Sequence, residues 1–308
     1  AITAYHDLLD KQKPSTHSLR WLHSLSQAYL SLGDRSEIPK KIDIYLSKIL
    51  ENTSIKKTSE YAEYQNNFTT LTLTLHRESR KTDDPLLWKS TDGMYDVFYK
   101  YFPESPQGAI WYHGAQRKEH LAKYSESIQW YKRAALVTDY ENKDDSLNSI
   151  LRIAKNLLDQ ESIKSKPNID LYSQLAQDTE WYIQKFPLEK ERDVADVLYT
   201  EALHKSQKLQ HTHDYIIQRI KELSSNAHSQ ALFMFENNRL YRAKNWIPTY
   251  EFSGRAMKVT ADEDLTLDFK RKLNLIHQEA AFQKAYELEK EIEKNKDALP
   301  DQMRDWYR

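Results

Sequence analysis

The sequence contains no cysteine. This absence excludes disulfide bonds, zinc sites built on thiolates and cysteine nucleophiles together. It also favours a bacterial compartment outside the cytosol, with the cytosol as the alternative. Glycine and proline are scarce as well, at 5 and 9 among 308 residues. Because the many turns of an all-β protein depend on these two residues, the composition favours long helices joined by short connections.

The sequence also lacks an excess of one charge and any long apolar run. Its 45 Lys and Arg residues nearly balance its 46 Asp and Glu residues. No long-range field therefore favours a nucleic acid or an anionic membrane, and we expect no nucleic-acid partner. No stretch approaches the roughly 20 apolar residues of a membrane span. A Gly-rich phosphate loop is missing too, and we expect no nucleotide or other cofactor. No Gly-x-Ser-x-Gly elbow is present to indicate a serine nucleophile.

Apolar residues recur at spacings of three and four along most of the chain, which predicts an all-α fold. The predicted helices lie near 3–12, 17–32, 37–50, 58–79, 85–101, 106–120, 123–138, 145–162, 169–186, 189–208, 212–224, 226–242, 245–259 and 265–296. Their short connections require consecutive helices to fold back as antiparallel hairpins. Residues 69–75 alternate like a strand, but an isolated strand has nothing to pair with, so we predict helix there as well.

One window, residues 111–134, has the sequence WYHGAQRKEHLAKYSESIQWYKRA. It resembles a tetratricopeptide repeat, the 34-residue helix-turn-helix unit, over residues 105–138. The matching positions are Trp111, Gly114, Ala115, Ser127, Tyr131 and Ala134. In such a repeat the small residues let the two helices approach, and the aromatic residues fill the space between hairpins. Lys118 departs from the family pattern, which has an aromatic residue there.

A weaker repeat covers residues 230–260, with the corresponding residues Phe233, Asn237, Leu240, Thr249, Ser253 and Ala256. Its offset from the first window is not a multiple of 34 residues, so repeat lengths must be irregular. Phe102-Pro103 and Phe186-Pro187 each end a predicted helix, because proline stops it. This style resembles periplasmic tetratricopeptide proteins of Gram-negative bacteria, including outer-membrane assembly lipoproteins and cell-envelope scaffolds.

The resemblance implies a right-handed superhelix, a solenoid of antiparallel hairpins, over residues 1–308 as a single domain. We expect the long helix at 265–296 to cap it and the chain to be a fragment of a longer protein. Tetratricopeptide arrays bind peptides along the concave face formed by their first helices. The family's concave positions correspond to Tyr112, Gln116, Glu119 and His120, and to Met234, Asn238, Tyr241 and Arg242. Tyr112 and Tyr241 are alternatively packing residues between hairpins.

Glu161, within the sequence Gln-Glu-Ser at 160–162, is a candidate catalytic acid. Lytic transglycosylases, which also have a long helical superhelix, carry their catalytic acid in a similar Glu-Ser context. A general acid needs a pKa raised by burial, whereas Lys164 and Lys166 follow Glu161 and would lower it. The Gly-rich, Met-Pro-containing motif of that family is absent, so we expect no catalytic residue here. A Ser-His-Asp triad stays open, because its members need only meet in space.

The histidines raise the question of a metal site, above all His204, His211 and His213, or His113 with His120. A helical zinc pair needs ligands four residues apart. His211 and His213 are two apart, which directs them to different sides of one helix. We therefore expect exposed or capping histidines and no metal.

Three functions remain after these exclusions. The first is a non-enzymatic scaffold that binds protein or peptide partners, in the periplasm or at the outer membrane of a bacterial cell envelope. The second is a regulatory or substrate-guiding superhelix of a larger enzyme, for example in polysaccharide or peptidoglycan metabolism. The third is an oligomerisation module in which the segment 265–296 docks on another copy. The apolar residues considered for that contact are Leu273, Ile276, Ala280, Ala281, Leu288 and Ile292.

Overall fold

The computed structural model describes residues 1–222, 227–260 and 267–294, and within these ranges the fold is all-α, with fourteen α-helices and no strand. The helices are α1 (Ile2–Lys11), α2 (Thr16–Leu32), α3 (Ile38–Leu50), α4 (Ser59–Thr82), α5 (Pro85–Tyr101), α6 (Gly108–His120), α7 (Tyr124–Leu136), α8 (Lys143–Ser162), α9 (Ile169–Lys185), α10 (Arg192–Lys205), α11 (Leu209–Glu222), α12 (Ala227–Arg242), α13 (Trp246–Thr260) and α14 (Leu267–Lys294). Short 3₁₀ turns at Arg35–Glu37 and Thr53–Lys57 precede α3 and α4.

The predicted succession of helices is confirmed. The alternating segment 69–75 lies inside α4, as expected from its lack of a partner strand. Several boundaries differ by three residues: α4 ends at Thr82 rather than near 79, α11 begins at Leu209 rather than near 212, and α10 spans Arg192–Lys205 rather than 189–208. The backbone N–H groups of Glu189 and Arg192 donate to the carbonyls of Phe186 and Glu189, so two consecutive turns separate α9 from α10. The ends of the predicted helix 265–296 lie outside the described residues.

Local sequence signals explain where several helices begin and end. Gly33, with φ of 77°, ends α2 in the left-handed conformation that glycine adopts without strain. Asp84 caps α5 by accepting from the Leu86 N–H, and a proline follows it at the first helical position. Phe102 and Phe186 are the C-terminal cap residues of α5 and α9, so both Phe-Pro pairs end a helix as predicted.

The chain divides into two compact units, Ala1–Ile153 and Ala154–Arg308, and the division falls within α8. In the first unit, α2 packs on α1, α3 and α4, α5 packs on α3 and α4, and α6 packs on α7. The core of this unit is rich in aromatic rings, which bury large apolar areas in few residues. Its largest buried side chains include Phe68, Tyr95, Phe98, Trp111 and Tyr131.

In the second unit each helix from α9 to α14 packs on the next, and α11 also packs on α13. The core contains Ile216, Ile220, Phe233, Phe252 and Leu273. In both units helices close in sequence pack on each other, which is consistent with a solenoid. The handedness of a superhelix stays a prediction.

The α6–α7 hairpin has the close crossing that its small residues predict. A Cβ atom added at Gly114 would lie 2.1 Å from Cζ3 of Trp130, so only glycine fits there. Next to it, the Ser127 hydroxyl donates to the Ala115 carbonyl at 2.8 Å. Trp111 and Tyr131 are fully buried beside the crossing. The predicted roles of small and aromatic residues in this window are therefore confirmed as packing.

Lys118, which departs from the repeat pattern, is nearly buried at the end of α6. Its ammonium group donates to Asp96 at 2.8 Å and lies 3.0 Å from Glu126. It also lies 5.4 Å from the centre of the Trp130 ring. Two carboxylates and a ring face thus replace the contacts that an aromatic residue would make at this position.

Candidate functional site

The first predicted surface is on α6, where Tyr112, Gln116 and Glu119 follow one another at helical spacing. The Glu119 carboxylate accepts two hydrogen bonds from Arg152, at 2.6 and 2.9 Å. It also accepts from the Tyr131 hydroxyl at 3.3 Å. This bidentate pairing fixes Glu119 within the protein and leaves less of its carboxylate for a partner.

The other residues of this surface differ in accessibility. Tyr112 is partly buried, with its ring edge-to-face against Tyr131 at 5.8 Å between centroids. Gln116 contacts Nδ1 of His113 at 3.1 Å. His120 is exposed and lines a separate shallow cavity of about 420 Å³ together with Trp88. The structure therefore joins Tyr112, Gln116 and Glu119 on one surface, while His120 also borders another.

The second predicted surface is on α12 and is more accessible. Asn238, Tyr241 and Arg242 are exposed, and Met234 is partly exposed. Phe235, which is not among the predicted residues, lies between Met234 and Asn238 with 52% of its surface exposed, and Tyr241, six residues further on, is 47% exposed. We call Met234, Phe235, Asn238, Tyr241 and Arg242 the α12 stripe. Their spacing of three and four places all five on one side of the helix.

A sequence rule would have found Phe235. Residues two apart in a helix point to nearly opposite sides. Phe233 is fully buried in the core of the second unit, so Phe235 must face away from that core. The weaker repeat contains this information, because it matches Phe233 to a packing position of the family.

Positive charge accompanies the aromatic side chains toward the C-terminal end of the α12 stripe. The Arg239 guanidinium lies 4.7 Å from the Phe235 ring centre and pairs with Glu236 at 3.2 Å. Arg242 and Lys244 form no ion pair with any residue that the structure describes. The apolar surface of the stripe is thus accompanied by two cations available to an acidic ligand, Arg242 within the stripe and Lys244 just after α12.

Behind the stripe, Glu236 is almost fully buried on the opposite side of α12. One of its carboxylate oxygens, Oε1, lies 3.1 Å from Nδ1 of His204 and 3.4 Å from Nε2 of His213. Burial raises the pKa of Glu236, but the two imidazoles and Arg239 outweigh burial and lower it to about 2. The expectation of exposed or capping histidines is therefore wrong for His213, which is buried and also stacks on Phe252 at 4.2 Å.

A second buried carboxylate, Asp196, lies near Asp193 and His228, and one ligand atom from each falls within 4.8 Å of the others. Asp196 accepts from Arg192 at 2.8 Å and pairs with Arg219 at 2.8 Å. A divalent cation here would lie beside two guanidinium groups, which the chemistry of cation sites disfavours. The cluster fits an ion-pair network that joins α10, α11 and α12 better than it fits a metal site.

Glu161 is held as the sequence predicts. Its carboxylate accepts from Lys164 at 2.6 Å and from the Asn168 backbone N–H at 2.6 Å. These hydrogen bonds hold the pKa of Glu161 below its usual range. A general acid requires the opposite shift.

Comparison with known proteins identifies no family for this chain: no protein-family model matches the sequence, and a search of curated proteins finds no match either. Among the described residues, no helix is both long enough and apolar enough to cross a membrane.

Proposed function

We propose that this protein is a non-enzymatic scaffold of tetratricopeptide type that binds a peptide segment of a partner along the α12 stripe. The observation that carries the proposal is the exposure of two aromatic side chains, Phe235 and Tyr241, on one side of a helix whose other side is buried. Grouped apolar and aromatic residues on a surface mark interaction sites, whereas isolated ones do not.

The residues of the α12 stripe define the chemistry of the partner. Met234 and Phe235 offer apolar contact area for a hydrophobic side chain. The Asn238 amide can both donate to and accept from a peptide backbone. Arg242, with Lys244 two residues further on and just beyond the end of α12, attracts a carboxylate. The stripe therefore suits a segment in which an apolar residue precedes or follows an acidic one.

The α6 surface is a secondary contact in this proposal. Because Glu119 is held by Arg152, Tyr112 and Gln116 supply the polar contacts there. We place the scaffold in the periplasm or at the outer membrane of a bacterial cell envelope, on the support of its lack of cysteine and its Phe-Pro hairpin ends. A superhelical domain of a larger enzyme is the alternative.

Selection from a library of random peptides tests the proposal on the whole chain. We expect enrichment of peptides that combine apolar or aromatic residues with Asp or Glu. The double variant Phe235→Ser with Tyr241→Ser should enrich none of them. Leu188→Ser is the control, since Leu188 between α9 and α10 is 98% exposed and lies outside both the stripe and α14. Enrichment that persists in the double variant would contradict the proposal.

The α6 contribution is tested separately with Tyr112→Ala plus Gln116→Ala, against Asn238→Ala plus Tyr241→Ala. We expect the second pair to weaken binding of a selected peptide more than the first, while circular dichroism shows unchanged helix content. An equal loss in both pairs would contradict the assignment of α12 as the main contact.

A further inference from the structure

The helix α14 has two different sides. Its N-terminal half packs on α13, and Phe269, Leu273 and Ala280 are buried there. No described residue of α14 beyond Ala280 is buried. Of the apolar residues considered from the sequence, Leu273 and Ala280 are therefore buried against the protein, whereas Leu288 is exposed.

A second set of apolar residues lies on the side of α14 that faces away from α13. Leu275 is 65% exposed, Phe282 67% and Tyr286 48%. Their spacing of seven and four places them in one row along the helix, opposite the buried residues. Phe282 and Tyr286 also border an open groove of about 520 Å³ along the helix surface. We call Leu275, Phe282 and Tyr286 the α14 row.

Charge along α14 is divided between its ends. Lys270, Arg271 and Lys272 outnumber Asp268 before the α14 row, and Glu287, Glu289, Glu291 and Glu293 outnumber Lys290 and Lys294 toward its other end. Arg271 and Glu289 share the side of the helix that carries the row. Neither forms an ion pair with any residue that the structure describes. They are 18 positions apart on one rigid helix, about 27 Å, so they cannot pair with each other.

When two copies of α14 lie antiparallel, the basic end of each helix lies beside the acidic end of the other. If two α14 helices pair about a two-fold axis near residues 280 and 281, Arg271 of one copy lies level with Glu289 of the other. Asp268, which lies level with Glu293 of the other copy, is paired with Lys272 of its own helix at 2.6 Å. In the same register Leu275 lies level with Tyr286, and the two Phe282 side chains lie within one turn of each other. Parallel pairing would instead place like charges side by side.

We propose that the chain forms a two-fold symmetric dimer through the α14 row, in which two α14 helices pair antiparallel and Arg271 of each copy pairs with Glu289 of the other. The occupant of this exposed helix side is thus a second copy of the same chain. The dimer contact is separate from the α12 stripe, so two copies of the stripe would be linked in one particle.

Sedimentation equilibrium of the whole chain over a range of concentrations tests the dimer. The wild type should reach twice the mass of one chain. Phe282→Glu should raise the dissociation constant at least about 30-fold, because it places two charges near the two-fold axis and removes an apolar anchor. Since Phe282 is mostly exposed, helix content by circular dichroism should be unchanged.

A charge exchange tests the antiparallel register. Arg271→Glu alone and Glu289→Arg alone should each weaken the dimer by about tenfold, because each turns two attractions into repulsions. The double variant should restore it, since the pairs reform between copies. Glu287→Arg is the matched control, because Glu287 lies on the other side of α14 and should leave the dissociation constant unchanged.

A wild type that remains a monomer at every concentration overturns the proposal, as does a dimer that Phe282→Glu leaves intact. If the double variant stays as weak as the single ones, the antiparallel register is wrong. Because none of these variants touches α12, peptide binding by a monomeric variant would leave the proposed function standing while the dimer fails.

Discussion

The substitution Gly114→Ala probes the close crossing of α6 and α7. The added Cβ would lie 2.1 and 2.3 Å from two ring atoms of Trp130, against an ordinary contact distance of about 3.5–4.0 Å. The ring has little room to retreat, since it is stacked on Tyr99 at 5.6 Å and edge-to-face with Trp111 at 5.6 Å. The hairpin must therefore open, or the tryptophan must leave its position.

The cost follows from two opposing terms. Overpacking of a well-packed core costs about 1–3 kcal/mol, and the clash at Gly114 belongs at the upper end. Replacing a helical glycine by alanine gives back about 1 kcal/mol through helix propensity. We expect a net loss of about 2 kcal/mol in the free energy of unfolding, measured by urea titration followed by tryptophan fluorescence.

Gly254→Ala is the control for this substitution, because its Cβ would meet only the His277 ring, at 3.1 Å. It should change the free energy of unfolding by less than about 0.5 kcal/mol, since the propensity gain offsets a mild contact. Combining Gly114→Ala with Trp130→Leu should cost less than the sum of the two single changes. A neutral or stabilising Gly114→Ala would refute the close crossing.

Three further predictions concern buried groups. The pKa of Glu236 is about 2 in the folded protein, against an ordinary value of 4.5. Its ionised form therefore contributes about 2–3 kcal/mol to the free energy of unfolding above pH 4.5, and this contribution is lost as the pH falls toward 2. Glu236→Gln should remove this acid dependence in urea titrations at pH 7 and pH 3. Burial, with the nearby charges of His113, Arg80 and Arg117, lowers the pKa of His76 from 6.5 to about 4. The folded protein should therefore lose stability as the pH falls from 6.5 to 4. An NMR titration that shows His76 protonated at pH 6 would contradict this. Phe102→Ala should cost about 3–5 kcal/mol in urea titrations, because the ring is buried among Phe68, Phe98 and other rings, and a loss below about 1 kcal/mol would disprove its packing role.

Much of the fold follows from local patterns in the sequence. Helical periodicity marks all the described helices, and punctuation such as Gly33 and Asp84 marks their ends. The crossing at Gly114 was predictable too, because a small residue beside an aromatic one in a hairpin of known length has a single place to pack. These features depend on residues that are close in sequence.

The buried charge networks depend on residues far apart in sequence, so local patterns do not reveal them. Glu236 meets His204 and His213 from two other helices, and no spacing rule connects these three positions. The buried His213 contradicts the expectation of exposed or capping histidines.

Exposed apolar residues are difficult to predict for a different reason. A helix with apolar residues around much of its circumference does not indicate which side its neighbours cover. In α14 the packed side contains Leu273 and Ala280, and the α14 row on the opposite side was not apparent. In α12, by contrast, the burial of Phe233 decides that Phe235 is exposed.

The central claim is that the α12 stripe binds a peptide with apolar and acidic residues, and titration calorimetry with one selected peptide tests it most directly. The account predicts that Phe235→Ser with Tyr241→Ser weakens binding at least about 30-fold, that Arg242→Ala weakens it less and mainly at low salt, and that Leu188→Ser leaves it unchanged. Equal affinity of the wild type and the Phe235→Ser, Tyr241→Ser variant would contradict the account.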